Sequence, residues 1–253
     1  MQVIAKLVGI YIRYGYQPIT GLSPKHTNNW MSDYTFLVKG TENCTPHLGI
    51  TPHEIGFMEC VLEAIEPKNI LVIGNSFGWS TLALALSNPA ARVVAMDCAD
   101  EPFTLEWIDH TNAIAEKEGL SARAVKGRSP DDVDAVMDAE FDGKLDFVFF
   151  DGDHTKEAVI NDFEAVHRHA NPQCVYVFHD VLGFGLMEGV LRTMASSGLS
   201  GRVVYGSPSG MMIVYNKELE DRLALSFATY GATDLAMGML NLMKQTETGR
   251  IIS

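Results

Sequence analysis

Positive charge is in short supply in this chain: 19 lysines and arginines stand against 32 aspartates and glutamates, for a formal net charge of −13. Tracking a phosphate backbone requires clustered lysine and arginine, so the imbalance argues against nucleic acid as a partner and favours a small or neutral one. Cysteine is sparse too. Cys44, Cys60, Cys98 and Cys174 are widely scattered and form no C-x-x-C pair, so buried reduced thiols are expected rather than a disulfide framework. No apolar run reaches the roughly 18 residues of a membrane span, which excludes a helical anchor by this criterion. The apolar stretch Val3 to Ile12 is broken by Lys6 and followed by no small-residue cleavage site. It reads as a packed helix, with the cytoplasm as the expected location. Internal repeats and low-complexity segments are absent as well.

What remains has the composition of a folded protein: 47% hydrophobic and 20% charged residues over 253 positions, enough for one α/β domain with additions at its ends. After a polar, irregular stretch from about Gln17 to Pro52, apolar runs and amphipathic segments alternate. Strands are expected at Asn69–Gly74, Arg92–Asp97, Ala122–Gly127, Leu145–Asp151, Gln173–His179, Arg202–Tyr205 and Met211–Tyr215. Helices are expected near Trp79–Ser87, Phe103–Lys117, Pro130–Met137, Lys156–His169 and Leu186–Ser197. Such alternation predicts a doubly wound, Rossmann-like sheet, mostly parallel, with helices on both faces. The last two strands are joined by only Gly206-Ser-Pro-Ser-Gly210, too short for a crossover, so they should form an antiparallel hairpin. The expected organisation is an appendage over 1–55, a central domain over 56–216 and a helical tail over 217–253. The methionines of that tail, Met237, Met239 and Met243, suit a lid, a subunit contact or core packing.

The most informative segment is K-N-I-L-V-I-G-N-S-F-G-W-S-T, from Lys68 to Thr81. Ile70 to Ile73 are continuously apolar, as a strand covered on both faces should be. Gly74 and Gly78 lack a Cβ, which permits a sharp turn and close approach of a ligand. A helix then begins, with its free N–H groups pointing back at the turn. The glycine spacing is not the G-x-G-x-x-G of pyrophosphate binding, which disfavours a nicotinamide-dependent oxidoreductase.

In open α/β sheets ligands sit beyond the carboxyl ends of the strands. The second strand ends in Asp97, suited to a ribose diol or to a helix cap. The third leads to Ser129 before Pro130, a cap for the next helix or a neighbour of an adenine edge. The fourth ends F-V-F-F-D-G-D-H, placing Asp151, Asp153 and His154 together, and the fifth ends in His179 and Asp180. Three readings of this set stay open: a divalent cation site, a metal-free base in which a carboxylate fixes a histidine tautomer, or a structural hydrogen-bond network. Asp162 reads as a surface or capping carboxylate, and His167 and His169 as residues at a helix C-terminus. His26, Trp30, Tyr34 and His47 could reach an acceptor pocket or simply pack the N-terminal stretch.

Taken together, I-L-V-I-G-N-S-F-G-W-S-T, V-V-A-M-D, F-V-F-F-D-G-D-H and V-F-H-D-V resemble class I S-adenosylmethionine-dependent O-methyltransferases. The similarity is greatest to the small-molecule group that includes the catechol, caffeoyl coenzyme A and antibiotic-sugar enzymes, over about Gly56 to Tyr215. The resemblance implies methyl transfer to a hydroxyl of a small molecule, with a homo-oligomer possible. It implies that Gly74, Asn75, Ser76 and Gly78 surround the cofactor, that Asp97 holds the ribose hydroxyls and that Ser129 lies near the adenine. Asp151 would stand beside the methyl group, with Asp153, His154 and His179 as further candidates for proton removal. In metal-using relatives, Asp151 and the positions of His179 and Asp180 hold the cation. The chain departs from the pattern at Val72, where an acidic residue usually precedes the glycine, at Ser76, usually a glycine, and at His179, usually a carboxylate. The first departure weakens the expected grip on the methionine amino group and supports a non-catalytic, cofactor-binding alternative. The last weakens the case for Mg²⁺ specifically.

Overall fold

The computed structural model describes residues 2–231; Met237, Met239 and Met243 lie outside the described residues. The chain opens with α1 (Gln2–Arg13), which buries Val3, Leu7, Ile10 and Tyr11, as its apolar spacing requires. The stretch expected to be irregular instead forms a small antiparallel sheet of β1 (Gln17–Ile19), β2 (Phe36–Lys39) and β3 (Glu42–Asn43), with a short helix α2 (Pro24–Thr27) between the first two. Strands of two to four residues, half exposed, are too short to show a period-2 signal.

Helix α3 (Pro52–Ile65) starts with a complete capping box: Thr51 Oγ1 accepts from Glu54 N at 3.2 Å and Glu54 Oε2 accepts from Thr51 N at 2.7 Å. Two otherwise unpaired amides are thereby satisfied. The alternation then runs β4 (Asn69–Ile73), α4 (Trp79–Ser87), β5 (Arg92–Asp97), α5 (Pro102–Glu118), β6 (Ala122–Lys126), α6 (Val133–Glu140), β7 (Leu145–Phe150), α7 (Lys156–His167), β8 (Ala170–Phe178), α8 (Met187–Ser197), β9 (Ser200–Val204), β10 (Met211–Tyr215) and α9 (Glu220–Tyr230). The main sheet has the order β6-β5-β4-β7-β8-β10-β9, parallel from β6 to β8, with β10 antiparallel to both its neighbours. The expected terminal hairpin is present.

β4 shows why its sequence is apolar throughout. Ile70 and Val72 join the core on one face of the sheet, shared with α1, α3 and α4, whereas Leu71 and Ile73 join the core on the other, shared with α7 and α8. A strand between two helical layers has no solvent face to mark with polar residues. Residues before Gly56 belong to the first of these cores, through Leu7, Tyr11, Leu37 and Ile50. Chain order reverses between β4 and β7, so the crevice beyond their carboxyl ends is where a ligand is accommodated in such sheets.

Three expectations need correction. α6 begins at Val133 with Asp132 before it, so Ser129 does not cap that helix; residues 129–132 form a turn. β8 begins at Ala170, three residues early, with an irregularity in its pairing between Leu145 and Phe147. Asp162, read as a surface carboxylate, is buried at 6% exposure. All four cysteines are free, although only Cys174 is fully buried. Among the described residues no helix is long and apolar enough to cross a membrane.

Candidate active site

At the end of β4 the chain turns through Gly74 and Gly78, with φ of 97° and 77°. Protein contacts account for both glycines. A Cβ on Gly74 would stand 2.1 Å from the Asp151 carbonyl oxygen, and one on Gly78 would stand 2.3 Å from Thr111 Oγ1. The turn between them is fastened from β5. Asp97 Oδ2 accepts from Asn75 N and Ser76 N, each at 2.9 Å, and Oδ1 accepts from Ala99 N at 2.9 Å. The Asn75 side chain donates to Thr111 Oγ1 at 3.2 Å and accepts from Thr81 Oγ1 at 3.0 Å. Ser76, a non-glycine at φ 43°, keeps a buried Oγ without a hydrogen-bond partner. Asp97 therefore already carries three backbone amides. A carboxylate oxygen accepts from two directions, which leaves room on Oδ1 for a hydroxyl.

Beyond β7 and β8 the character changes. Phe150 and Phe178 stack with ring centroids 4.5 Å apart, and His179 N donates to Phe150 O at 3.0 Å, so the two strand ends are held side by side. The polar residues that follow converge. His179 Nδ1 lies 3.1 Å from Asp151 Oδ1 and 3.2 Å from Asp180 Oδ1, while its Nε2 meets Glu54 Oε1 at 3.1 Å. His154 Nε2 lies 2.8 Å from Asp180 Oδ2, out of line for a hydrogen bond, and its ring stacks on the half-exposed Phe184 with centroids 4.3 Å apart. Ser209 donates to Asp180 Oδ1, and Tyr34 stands close by, hydrogen-bonded to Ser209 and within reach of the charges on Asp180, Glu54 and His179.

The electrostatics follow from this crowding. Burial opposes a charge on His179, yet the carboxylates of Glu54 and Asp151 outweigh it and hold the imidazole well above its ordinary range. Burial likewise opposes ionisation of Asp180, but close contacts with the His154 and His179 rings hold its carboxyl well below the usual range. Glu54 is lowered in the same way, burial being outweighed by the charge on His179. His154 is raised by its contact with Asp180, against the cost of partial burial. Opposite charges packed this tightly favour one another's charged forms.

Of the expected residues, Asp151, His154, His179 and Asp180 are brought together and Asp153 is not. Asp153 is exposed, and its charge bears on Asp162 behind the loop. Burial pushes the Asp162 carboxyl up to about 6, opposed by the nearby Ser129 hydroxyl, and neither its Oδ1 nor Ser129 Oγ has an aligned hydrogen-bond partner. Three ligand-capable atoms, one each from Asp151, His154 and Asp180, lie within 4.8 Å of one another; His179 sits behind this trio. Glu54 escaped the sequence reading. Its signal, T-P-H-E before an apolar run, announces a helix start, but nothing local indicates that the second carboxylate oxygen reaches a strand end 125 residues away. Of the N-terminal aromatic and histidine residues, only Tyr34 is seen at the cluster. His26 is exposed, His47 pairs with Glu101 at 3.3 Å, and the Trp30 side chain lies outside the described set.

Residues 71–181 match the family model described as a methyltransferase domain. An O-methyltransferase from Bacillus cereus, solved with S-adenosylhomocysteine, superposes with a TM-score of 0.52 at 20% identity, over 66% of this chain and 82% of that one. A protein from Staphylococcus aureus provisionally classed as a caffeoyl-CoA O-methyltransferase gives 0.53 at 15% identity, over 64% and 82%. A Klebsiella pneumoniae protein provisionally classed as an O-methyltransferase gives 0.57 at 14% identity, over 85% and 90%. Fold and sequence match coincide on the strand ends where the glycine turn and the acid–imidazole cluster lie: residues 71–181 are similar to a methyltransferase domain, and the chain shares the fold of the O-methyltransferase structures it superposes on.

Proposed function

We propose that this chain transfers a methyl group from S-adenosylmethionine to a hydroxyl of a small molecule. The observation that carries the reading is the junction of two unlike surfaces at the switch point: a turn fastened by Asp97 on one side and the Asp151–His154–His179–Asp180 cluster on the other. On this reading Gly74, Asn75, Ser76 and Gly78 flank the cofactor, Asp97 adds a ribose hydroxyl to the amides it already holds, and Ser129 lies toward the adenine. The relatives crystallised with S-adenosylhomocysteine supply the precedent for the cofactor class. The sulfonium activates the methyl group itself, so the protein's task is alignment, which can supply on the order of 7–11 kcal/mol. The remaining task is to take up the acceptor's proton, for which Asp151 and His154 stand at the rim.

A divalent cation suits the same place. Two carboxylates and an imidazole form a donor set open to Mg²⁺ or Mn²⁺, and His154 Nε2 has no aligned hydrogen bond to give up. Asp151, His154 and Asp180 would hold it, with His179 behind them. Bound there, it would lower the pKa of an acceptor hydroxyl. We read residues 56–216 as the catalytic unit, with 1–55 and 217–253 as its flanks.

Calorimetric titration with S-adenosylmethionine and S-adenosylhomocysteine tests the first half of the reading, and release of S-adenosylhomocysteine across a panel of phenols, catechols and sugars, with and without Mg²⁺ or Mn²⁺, tests the second. Saturable one-to-one binding and release with at least one acceptor are expected. Failure to bind either nucleoside sinks the reading. Binding without release on any acceptor favours a non-catalytic protein, the alternative for which Val72 speaks.

A further inference from the structure

His179 is enclosed by three carboxylates from three separate stretches of chain. Glu54 on the first turn of α3 faces Nε2, and Asp151 and Asp180 face Nδ1. Glu54 and His179 are closed off from water, at 0% and 5% side-chain exposure. Charges buried so deeply are costly unless paired, so their contact is a constraint on the fold rather than a chance approach. Glu54 is committed twice. Its Oε2 completes the capping box at Thr51 N, and its Oε1 takes the ring. Capping a helix needs only the first of these and works equally well in water. The second oxygen requires another explanation.

We propose that Glu54 is a positioning residue for the transfer site: by holding the Nε2 edge of His179 it turns the Nδ1 edge toward Asp151 and Asp180 and so sets the spacing of those two carboxylates. The inference rests on the reading of Asp151 and Asp180 as transfer-site residues. Two carboxylates at close range repel one another unless positive charge stands between them, and the imidazole edge at Nδ1, 3.1 Å from Asp151 Oδ1 and 3.2 Å from Asp180 Oδ1, supplies it without an aligned hydrogen bond to either. A ring without a partner at Nε2 would be free to turn about its χ2 bond and present carbon in place of nitrogen. Asp180 is held by Ser209 on the same oxygen that faces His179 and meets His154 through the other, so a change at Glu54 passes through His179 and Asp180 to His154. The stretch ahead of the sheet thus holds part of the site in place.

Two substitutions separate positioning from capping. Glu54→Gln keeps the length and the capping hydrogen bonds, since glutamine serves in capping boxes, and removes the charge at the ring. Thr51→Ala weakens the cap and leaves Glu54 Oε1 on His179. The readout is the imidazole nitrogen resonances of His179 and His154 in ¹⁵N-labelled protein near neutral pH, with the melting temperature recorded alongside. Glu54→Gln is expected to shift both rings, His154 included although it does not touch Glu54, with little change in melting. Thr51→Ala is expected to lower the melting temperature by a few degrees and leave both rings at their wild-type positions. Unmoved resonances in Glu54→Gln, or equal shifts in Thr51→Ala, overturn the proposal. Should Glu54→Gln fail to fold, Glu54→Asp, which withdraws the carboxylate by one methylene, must produce the same shifts or the proposal falls. S-Adenosylhomocysteine titrated into the wild-type protein keeps the two readings apart: its failure to bind ends the methyl-transfer reading while the ring measurements still decide what Glu54 positions.

Discussion

The two sides of the crevice are built on opposite principles. On the β4–β5 side nearly every polar atom is satisfied within the protein: Asp97 holds three backbone amides with one position open on Oδ1, Asn75 is bonded at both ends of its amide, and Ser76 Oγ is left over. On the β7–β8 side charge is crowded and poorly aligned, with His179 Nδ1 between two carboxylates and His154 Nε2 beside a third oxygen without a straight hydrogen bond. The first side is rigid because its groups are fastened to one another. The second retains unspent hydrogen-bonding capacity, which is what a group that must exchange protons or hold a cation requires.

Substitutions can break this contrast or sharpen it. The largest effect is expected from Asp151→Asn. Loss of the carboxylate should lower S-adenosylhomocysteine release by about 10²–10⁴-fold, while calorimetry shows cofactor affinity nearly unchanged; a parallel loss of affinity would mean that the two sides are not separable. Next comes Gly74→Ala. Its new Cβ would meet the Asp151 carbonyl at 2.1 Å in a left-handed turn, and about 3 kcal/mol of stability should be lost in urea unfolding. Gly198→Ala is the control, because φ is 71° there but nothing lies within 4 Å; strain alone should cost about 1–2 kcal/mol.

Asp162→Asn runs the other way. Burial lifts this carboxyl to about 6, above an unfolded value near 3.9. An acid raised on folding contributes stability that is complete below the unfolded value and lost as pH rises through about 6. Above that range the carboxylate costs the native state at most about 3 kcal/mol. The asparagine variant should therefore melt higher than wild type at mildly alkaline pH, with the advantage gone below about pH 4. An advantage independent of pH would show that charge is not the cause.

What the sequence disclosed and what it hid have a common physical reason. β5 and α4 begin and end where expected, at Arg92–Asp97 and Trp79–Ser87, because a buried strand and a helix entered through glycine leave continuous local signals. The cluster residues Asp151, His154, His179 and Asp180 were legible for the same reason, each standing just past an apolar run. Glu54 and Asp162 were not. The meaning of each comes from a neighbour far along the chain, His179 for one and the turn at Ser129 for the other. Asp162 looks like any helical carboxylate until α7 is laid against the sheet. Of the two readings of Ser129 only the helix cap fails: a serine before proline resembles a cap, whereas the chain spends three further residues turning before α6 begins.

Gly74 has one more implication. Its α-carbon is pressed against the main chain at Asp151, and Asp151 N donates to Ile73 O at 2.9 Å, so the floor beneath one half of the crevice is welded to the floor beneath the other. Donor and acceptor, if they occupy those halves, are spaced by peptide groups and not by side chains. Evolution or engineering can then redecorate the walls to admit a different acceptor while the gap the methyl group must cross keeps its width.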